Sequence, residues 1–324
     1  MRWRKRTIAG FAIAGTAVTL SLVNASWIAP KPQGKLKLVA HRGLAQQFSR
    51  EGVDNETCTA TRIKPVEHNY IENTVRSIDT ADRMGADAVE IDVHPTSDNQ
   101  MVVFHDWTLE CRTNGKGPVR SKTLAELKTL DVGYGYTADG GKTYPLRGRG
   151  VGAMPTLEEV LTQAPATRLF VNFKSKDPRD ADLLVAAFAR AGKPIDDKYA
   201  FYGHPRVTRR MKELVPGAWT FWKEDGKGCL IDYMKFGWTS HVPESCRNTT
   251  VAIPLNYQWA IWGWPNRFLD RMAKANTKVL MMGPYEKGEI AGIETPEQLD
   301  DVPRDFNGYL WVEDFYAVGR ALRQ

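Results

Sequence analysis

Four short stretches carry residues that could do chemistry: His41-Arg42-Gly43, Glu90-Ile91-Asp92, His105-Asp106 and Asn172-Phe173-Lys174. Imidazoles move protons near neutral pH. Arg and Lys bind anionic oxygens. Two acids two positions apart on a strand share one face, so Glu90 and Asp92 point one way while Val89, Ile91 and Val93 point the other. Buried acids are costly unless paired or set on a cation. Asn172 and Lys174 share a face by the same rule, opposite Leu169, Val171 and Phe173. Together these stretches supply two histidines, two carboxylates, an Arg and a Lys, which suits acid–base work on an anionic substrate. No CxxC or HxxxH spacing exists, which excludes a zinc site of the usual kind. His68, His94, His204 and His241 are given no role, and His94 is read as pointing away from the face of Glu90 and Asp92.

Something must bring these stretches together, and the pattern of elements says what. Strand-like runs are expected at Leu36–Ala40, Ala88–Val93, Met101–Phe104, Leu169–Lys174, Tyr199–Tyr202, Trp219–Trp222, Val251–Leu255, Val279–Met282 and Tyr309–Val312. Helices are expected at Asn73–Met84, from the Thr156–Glu159 capping box through Leu161, and at Ala181–Ala191. The alternation argues for an α/β fold with a parallel sheet, a TIM (β/α)8 barrel. Nine strand candidates exceed the eight a barrel needs, so one must be decorative. Nothing divides residues 36–324, which are read as a single domain. Leu44–Tyr70 and Lys223–Thr250 stand out as irregular excursions.

The net charge of +6 is unevenly placed. Residues 1–50 hold nine of the 44 Lys and Arg and no acid, so the remainder carries 35 bases against 38 acids. The basic balance belongs to the start of the chain and gives no argument for nucleic acid. That start, Met-Arg-Trp-Arg-Lys-Arg, leads into the apolar run Ile8–Val23, with Val23 and Ala25 placed for cleavage before Ser26. Residues 1–25 are therefore expected to be a signal peptide or an uncleaved anchor. The body is expected to be exported, periplasmic or secreted, or held at the membrane by this segment. Cys58, Cys111, Cys229 and Cys246 fit an oxidising compartment. Cys229 and Cys246 flank a segment poor in regular pattern, which favours that pair and leaves Cys58 with Cys111.

The motifs resemble those of the glycerophosphodiester phosphodiesterase family. They are Leu38-Val-Ala-His-Arg-Gly43, Glu72-Asn-Thr74, Gly85-Ala-Asp-Ala-Val-Glu-Ile-Asp-Val93, Val102-Val-Phe-His-Asp106, Arg112-Thr-Asn-Gly115 and Pro155-Thr-Leu-Glu-Glu-Val-Leu161. The resemblance is dense over residues 36–175 and faint beyond. It implies a barrel hydrolase that cleaves glycerophosphodiesters into an alcohol and glycerol 3-phosphate. Carried onto this sequence, the acid–base pair falls on His41 and His105, the phosphate contacts on Arg42 and Lys174, and the metal carboxylates on Glu90, Asp92 and Glu72. A phosphodiester gains negative charge at its transition state, which Arg, Lys and a divalent ion would face. All-oxygen ligation favours Mg²⁺ or Ca²⁺.

One residue departs from the family pattern. Strand four should read Glu-x-Lys, with the Glu completing the metal site; here Asn172 stands in its place. Weaker metal binding is expected, or a larger share for Glu72. The family's late Trp-Thr-Val-Asn-like strand is replaced by Val279-Leu-Met-Met282. Two alternatives to a soluble-diester hydrolase are a phospholipase D-like enzyme acting on lysophospholipids or sphingolipids, and a non-catalytic cell-envelope binding protein with a degraded metal site. The sequence leaves open whether water or a neighbouring substrate hydroxyl attacks phosphorus. Trp219, Trp222, Trp238, Trp259, Trp262 and Trp264 are read as packing residues, as a wall for a choline-like head group, or as an interfacial surface for lipid.

Overall fold

The computed structural model describes residues 19–54, 57–286 and 288–322. Residues 1–18 of the expected leader lie outside these. The contacts divide the chain into two compact units. The larger comprises Lys37–Trp222, Gly292–Pro296 and Trp311–Gln324; the smaller comprises Met1–Leu36, Lys223–Ala291 and Glu297–Leu310.

The strands are β1 (Lys37–Ala40), β2 (Ala88–Pro95), β3 (Met101–Val103), β4 (Leu169–Phe173), β5 (Tyr199–Gly203), β6 (Trp219–Phe221), β7 (Thr250–Pro254) and β8 (Lys278–Met282). A short hairpin, β9 (Tyr285–Glu286) and β10 (Glu289–Ile290), precedes β11 (Tyr309–Val312). Strand order is β6-β5-β4-β2-β1-β11-β8-β7, and the pairings recorded along it are parallel. This is the strand order of a (β/α)8 barrel. The ninth candidate, β3, pairs antiparallel with β2 and lies off the path.

In the larger unit the helices up to Trp222 are α1 (Val75–Arg83), α2 (Leu124–Leu127), α3 (Leu157–Gln163), α4 (Arg179–Arg190) and α5 (Pro205–Leu214). Thr74 and Thr156 each open a helix with a capping box, accepting from the amides of Ser77 and Glu159. Helix α1 starts two residues later than its pattern suggests, because Asn73 is left-handed (φ 59°). The excursion at 44–70 joins residues 102–154 around a core of its own. Ile63, Ile71, Leu109, Leu127, Tyr136 and Met154 are buried there, with Cys58 and Cys111 packed against them. Those two cysteines form a disulfide.

The smaller unit carries α6 (Lys223–Phe236) and α7 (Asn266–Lys274). Helix α6 fills much of the second excursion, a stretch read as irregular because it is poor in regular pattern. Gly226 is there for packing: a Cβ would stand 2.5 Å from the Thr250 carbonyl oxygen. Cys229 on α6 is bonded to Cys246. No described helix is long and apolar enough to cross a membrane. The chain closes with α8 (Phe315–Ala321).

Candidate active site

All the predicted site residues fall in the larger unit: His41 and Arg42 just beyond β1, Glu72 shortly before α1, Glu90 and Asp92 within β2, His105 two residues beyond β3, Asn172 within β4 and Lys174 just after it. The turn after β1 sets the first of them. Arg42 is left-handed (φ 57°), and Gly43 follows at φ 76° with the start of α1 pressed against it. A Cβ on Gly43 would lie 2.8 Å from Ser77 Oγ and 2.9 Å from the Ser77 carbonyl carbon, so only glycine fits. The Arg42 carbonyl accepts from the Asn73 amide, which ties Glu72-Asn-Thr74 to His41-Arg-Gly43.

Arg42 then reaches three carboxylates. Its Nη1 donates to Glu72 Oε1 (2.9 Å), its Nε lies 3.3 Å from Asp92 Oδ2, and its amide donates to Glu90 Oε2 (3.3 Å). Asp92 is buried and fully engaged. Oδ2 also accepts from Asn73 Nδ2 (3.0 Å); Oδ1 accepts from Asn172 Nδ2 (2.9 Å) and faces Lys174 Nζ at 3.5 Å. Burial alone would raise its pKa, but Lys174, His105 and Arg42 outweigh this and hold it far below the usual carboxylate range. Glu90 fares differently. Burial and the nearby Asp92 charge push it up to about 7, although His41, Arg42 and a 2.7 Å hydrogen bond from the Tyr202 hydroxyl oppose the rise.

The two histidines are each oriented by a carboxylate. His41 Nδ1 donates to Glu313 Oε2 (2.5 Å), leaving Nε2 3.7 Å from Glu90 Oε2. Burial pushes the imidazole down, but Glu313 prevails over burial and Arg42 and raises its pKa above 6.5. His105 Nδ1 donates to Asp106 Oδ1 (2.7 Å). Burial and then the Arg42 charge lower its pKa to about 4, against Asp92 and Asp106. Asp106 is anchored in turn by Arg112 Nε (3.1 Å), and Arg112 also lies 3.5 Å from Glu72.

The predicted residues are therefore brought together: His41, Arg42, Glu72, Glu90, Asp92, His105, Asn172 and Lys174 make one cluster. One expectation fails. His94 lies two residues beyond Asp92, so the strand's period puts it on the same face. Its ring stacks edge-on to Trp107 (5.5 Å), and its Nε2 is 3.4 Å from the His105 carbonyl. The sequence reading also missed Glu313, Tyr202, Asp106 and Arg112 as site residues. Arg112 and Asp106 stood inside quoted motifs. Tyr202 sits opposite Asn172 in register, which is a readable signal once the strands are paired.

The donor chemistry suits a hard divalent cation. Glu90 and Asp92 are neighbouring buried carboxylates on one strand face, and burial beside Asp92 raises the Glu90 pKa to about 7. Glu72 and the Asn172 carbonyl oxygen are the further oxygen donors beside them. Among the described residues no three His, Cys, Asp or Glu side chains are gathered as a ready metal cage.

Strand order and cluster define a (β/α)8-barrel protein with a histidine–carboxylate–guanidinium site at the strand ends. Comparison with known proteins gives the family. Residues 41–205, 165 of the 324, match the model of the glycerophosphoryl diester phosphodiesterase family, and the chain belongs to it. The chain is similar to a glycerophosphodiester phosphodiesterase of Bacillus subtilis, 36% identical over 125 residues, covering 37% of this chain and 41% of that protein. It is 34% identical over 123 residues to an uncharacterized Mycobacterium tuberculosis protein, covering 38% and 40%. The chain thus spans about two-fifths of the length of these curated relatives. The fold matches the solved glycerophosphoryl diester phosphodiesterase domain of an uncharacterized M. tuberculosis protein (TM-score 0.62, 19% identity, 89% and 98% of the two chains). It also matches an Oleispira antarctica phosphodiesterase solved with the product sn-glycerol 3-phosphate (TM-score 0.56, 18% identity, 93% and 100%).

Proposed function

We propose that this protein is a phosphodiesterase that hydrolyses glycerophosphodiesters to an alcohol and glycerol 3-phosphate. The observation that carries the reading is the opposite tuning of two histidines beside Arg42, Lys174 and the carboxylates they face. His41 is held toward its protonated form by Glu313, while His105 is held neutral by burial and Arg42. Environments that drive two titratable groups apart assign acid and base.

In this reading neutral His105, its Nδ1–H fixed on Asp106, uses Nε2 to take the proton of the attacking hydroxyl. That hydroxyl belongs to water, or to the substrate's own glycerol moiety, in which case a cyclic phosphate forms and water then opens it to glycerol 3-phosphate. His41, its Nδ1–H fixed on Glu313, gives its Nε2 proton to the departing alkoxide. Arg42 and Lys174 face the phosphate oxygens, where charge grows in the transition state. Mg²⁺ or Ca²⁺ on Glu90 and Asp92, with Glu72 and Asn172 alongside, would supply further charge stabilisation.

Members of this family among the relatives are named for glycerophosphodiester hydrolysis, and a structural neighbour holds glycerol 3-phosphate. Both support the substrate class. The apolar leader and the two disulfides support export of the body, with the leader either removed or kept as an anchor. The test is choline release from glycerophosphocholine in Mg²⁺, Ca²⁺ or EDTA. Metal-dependent release on the soluble diester is expected. Choline release only from lysophosphatidylcholine would replace the reading with the phospholipase D-like one, and release from neither would leave a binding protein.

A further inference from the structure

Eleven of the fifteen exposed large apolar side chains among the described residues lie in the smaller unit, which holds well under half of the chain. Trp259 is 83% exposed and Trp27 78%, with Phe236, Trp238 and Trp262 also on the surface. Loose packing does not account for the exposure. Trp262 Nε1 donates to the Met234 carbonyl (2.9 Å) and Trp259 Nε1 to the Asn256 carbonyl (3.1 Å), so each indole is held by its polar edge while remaining exposed. So many exposed large apolar side chains on one unit call for a partner.

The chain itself indicates which partner. The 16-residue apolar run Ile8–Val23, preceded by Arg2, Arg4, Lys5 and Arg6, ends on this same unit. Its end is pinned there. Buried Arg271 donates to the Val23 carbonyl (3.0 Å) and to Asn24 Oδ1 (3.0 Å), and is braced by the Tyr233 hydroxyl and the Gly237 carbonyl. Asn24 Nδ2 donates to the Trp238 carbonyl (2.7 Å), and the Asn24 carbonyl lies where a Cβ on Gly263, next to Trp262, would meet it at 3.4 Å. The end of a segment whose composition suits hydrocarbon therefore meets the unit beside the Trp238 backbone and Gly263.

We propose that these exposed aromatics form a membrane-docking surface, with Trp27, Phe236, Trp238, Trp259 and Trp262 in the interfacial layer of a bilayer. Indole rings favour that layer, and basic residues flanking an apolar run favour the headgroups. The proposal is independent of the hydrolytic reading.

The test uses the full chain carrying Trp3→Phe, reconstituted in phosphatidylcholine vesicles with brominated or plain acyl chains. Bromine should quench its tryptophan emission, and adding Trp238→Phe, Trp259→Phe and Trp262→Phe should remove at least half of that quenching. Phenylalanine keeps the face apolar while removing the reporter, and Trp259→Phe alone serves if the combined variant melts early. Equal quenching with and without the three indoles overturns the proposal. So does shielding from aqueous iodide in the absence of lipid: if it is independent of protein concentration, the leader covers its own face; if it grows with concentration, a second copy does.

Discussion

His41 Nδ1 and Glu313 Oε2 stand 2.5 Å apart, although 272 positions separate them in the chain. The contact is built by backbone. The His41 amide donates to the Val312 carbonyl (2.9 Å), so the ends of β1 and β11 run side by side and the next residue of each meets the other. Glu313 is held in turn by Arg50 Nη2 (3.2 Å) and the Gly292 amide (3.0 Å). This leaves His41 one free nitrogen, Nε2, on the side of Glu90.

Glu313→Gln keeps an acceptor for Nδ1–H and removes its charge. With His41 as the acid, activity is lost as pH rises through the His41 pKa, which lies above 6.5 because of Glu313. The variant should move that alkaline limb of the kcat profile to lower pH and reduce kcat about a hundredfold on the alkaline side, with KM little changed. Steady-state kinetics from pH 5 to 9 decide it; an unmoved limb removes Glu313 from the mechanism.

Acid should destabilise the fold through His94. Burial lowers its pKa to about 4, while the unfolded chain takes up the proton near 6.5. The unfolded state binds more protons between those values, so stability is complete above pH 6.5 and falls as pH drops toward 4. The shift corresponds to about 3 kcal/mol. Thermal melts across this window should show a shallower fall in His94→Gln; parallel curves would show that other groups control the acid side.

The Cys58–Cys111 bridge closes a 53-residue separation and sits beside Arg112, which holds Asp106 and Glu72. Replacing both cysteines with serine should cost about 2–5 kcal/mol. Urea unfolding measures it. Activity should also fall, through the loosened Arg112, at temperatures where the variant is still folded.

Asn172→Glu puts a carboxylate against Asp92 Oδ1, which now accepts from the Asn172 amide. Without divalent ions the variant should melt earlier than the wild type, because two buried acids then repel. With Ca²⁺ or Mg²⁺ it should recover and bind the ion at least about tenfold more tightly. Calorimetric titration reads both. Equal affinity would show that position 172 does not face the cation.

Much of the site was legible because its residues lie in short motifs at strand ends. Parity on β2 paired Glu90 with Asp92, and the order of strands supplied the barrel. The same parity places His94 with them, so that misreading was one of counting rather than of physics. Glu313 was hidden for a different reason. Nothing near Trp311-Val-Glu313 marks it as functional; its role comes from the closing of β11 on β1, which no local pattern records. Helix α6 was hidden because its residues show no clear helical period, and Gly226 is a place where the Thr250 backbone approaches. Helix propensity there gives way to packing against Thr250.

The most direct test compares glycerol 3-phosphate release from glycerophosphocholine by the wild type, His41→Ala and His105→Ala, each with saturating divalent ion. Both variants should lose at least about a hundredfold in kcat while still binding glycerol 3-phosphate through Arg42 and Lys174. Turnover within a few-fold of wild type in either variant would contradict the account, because the opposed pair of histidines would then not be the acid and base.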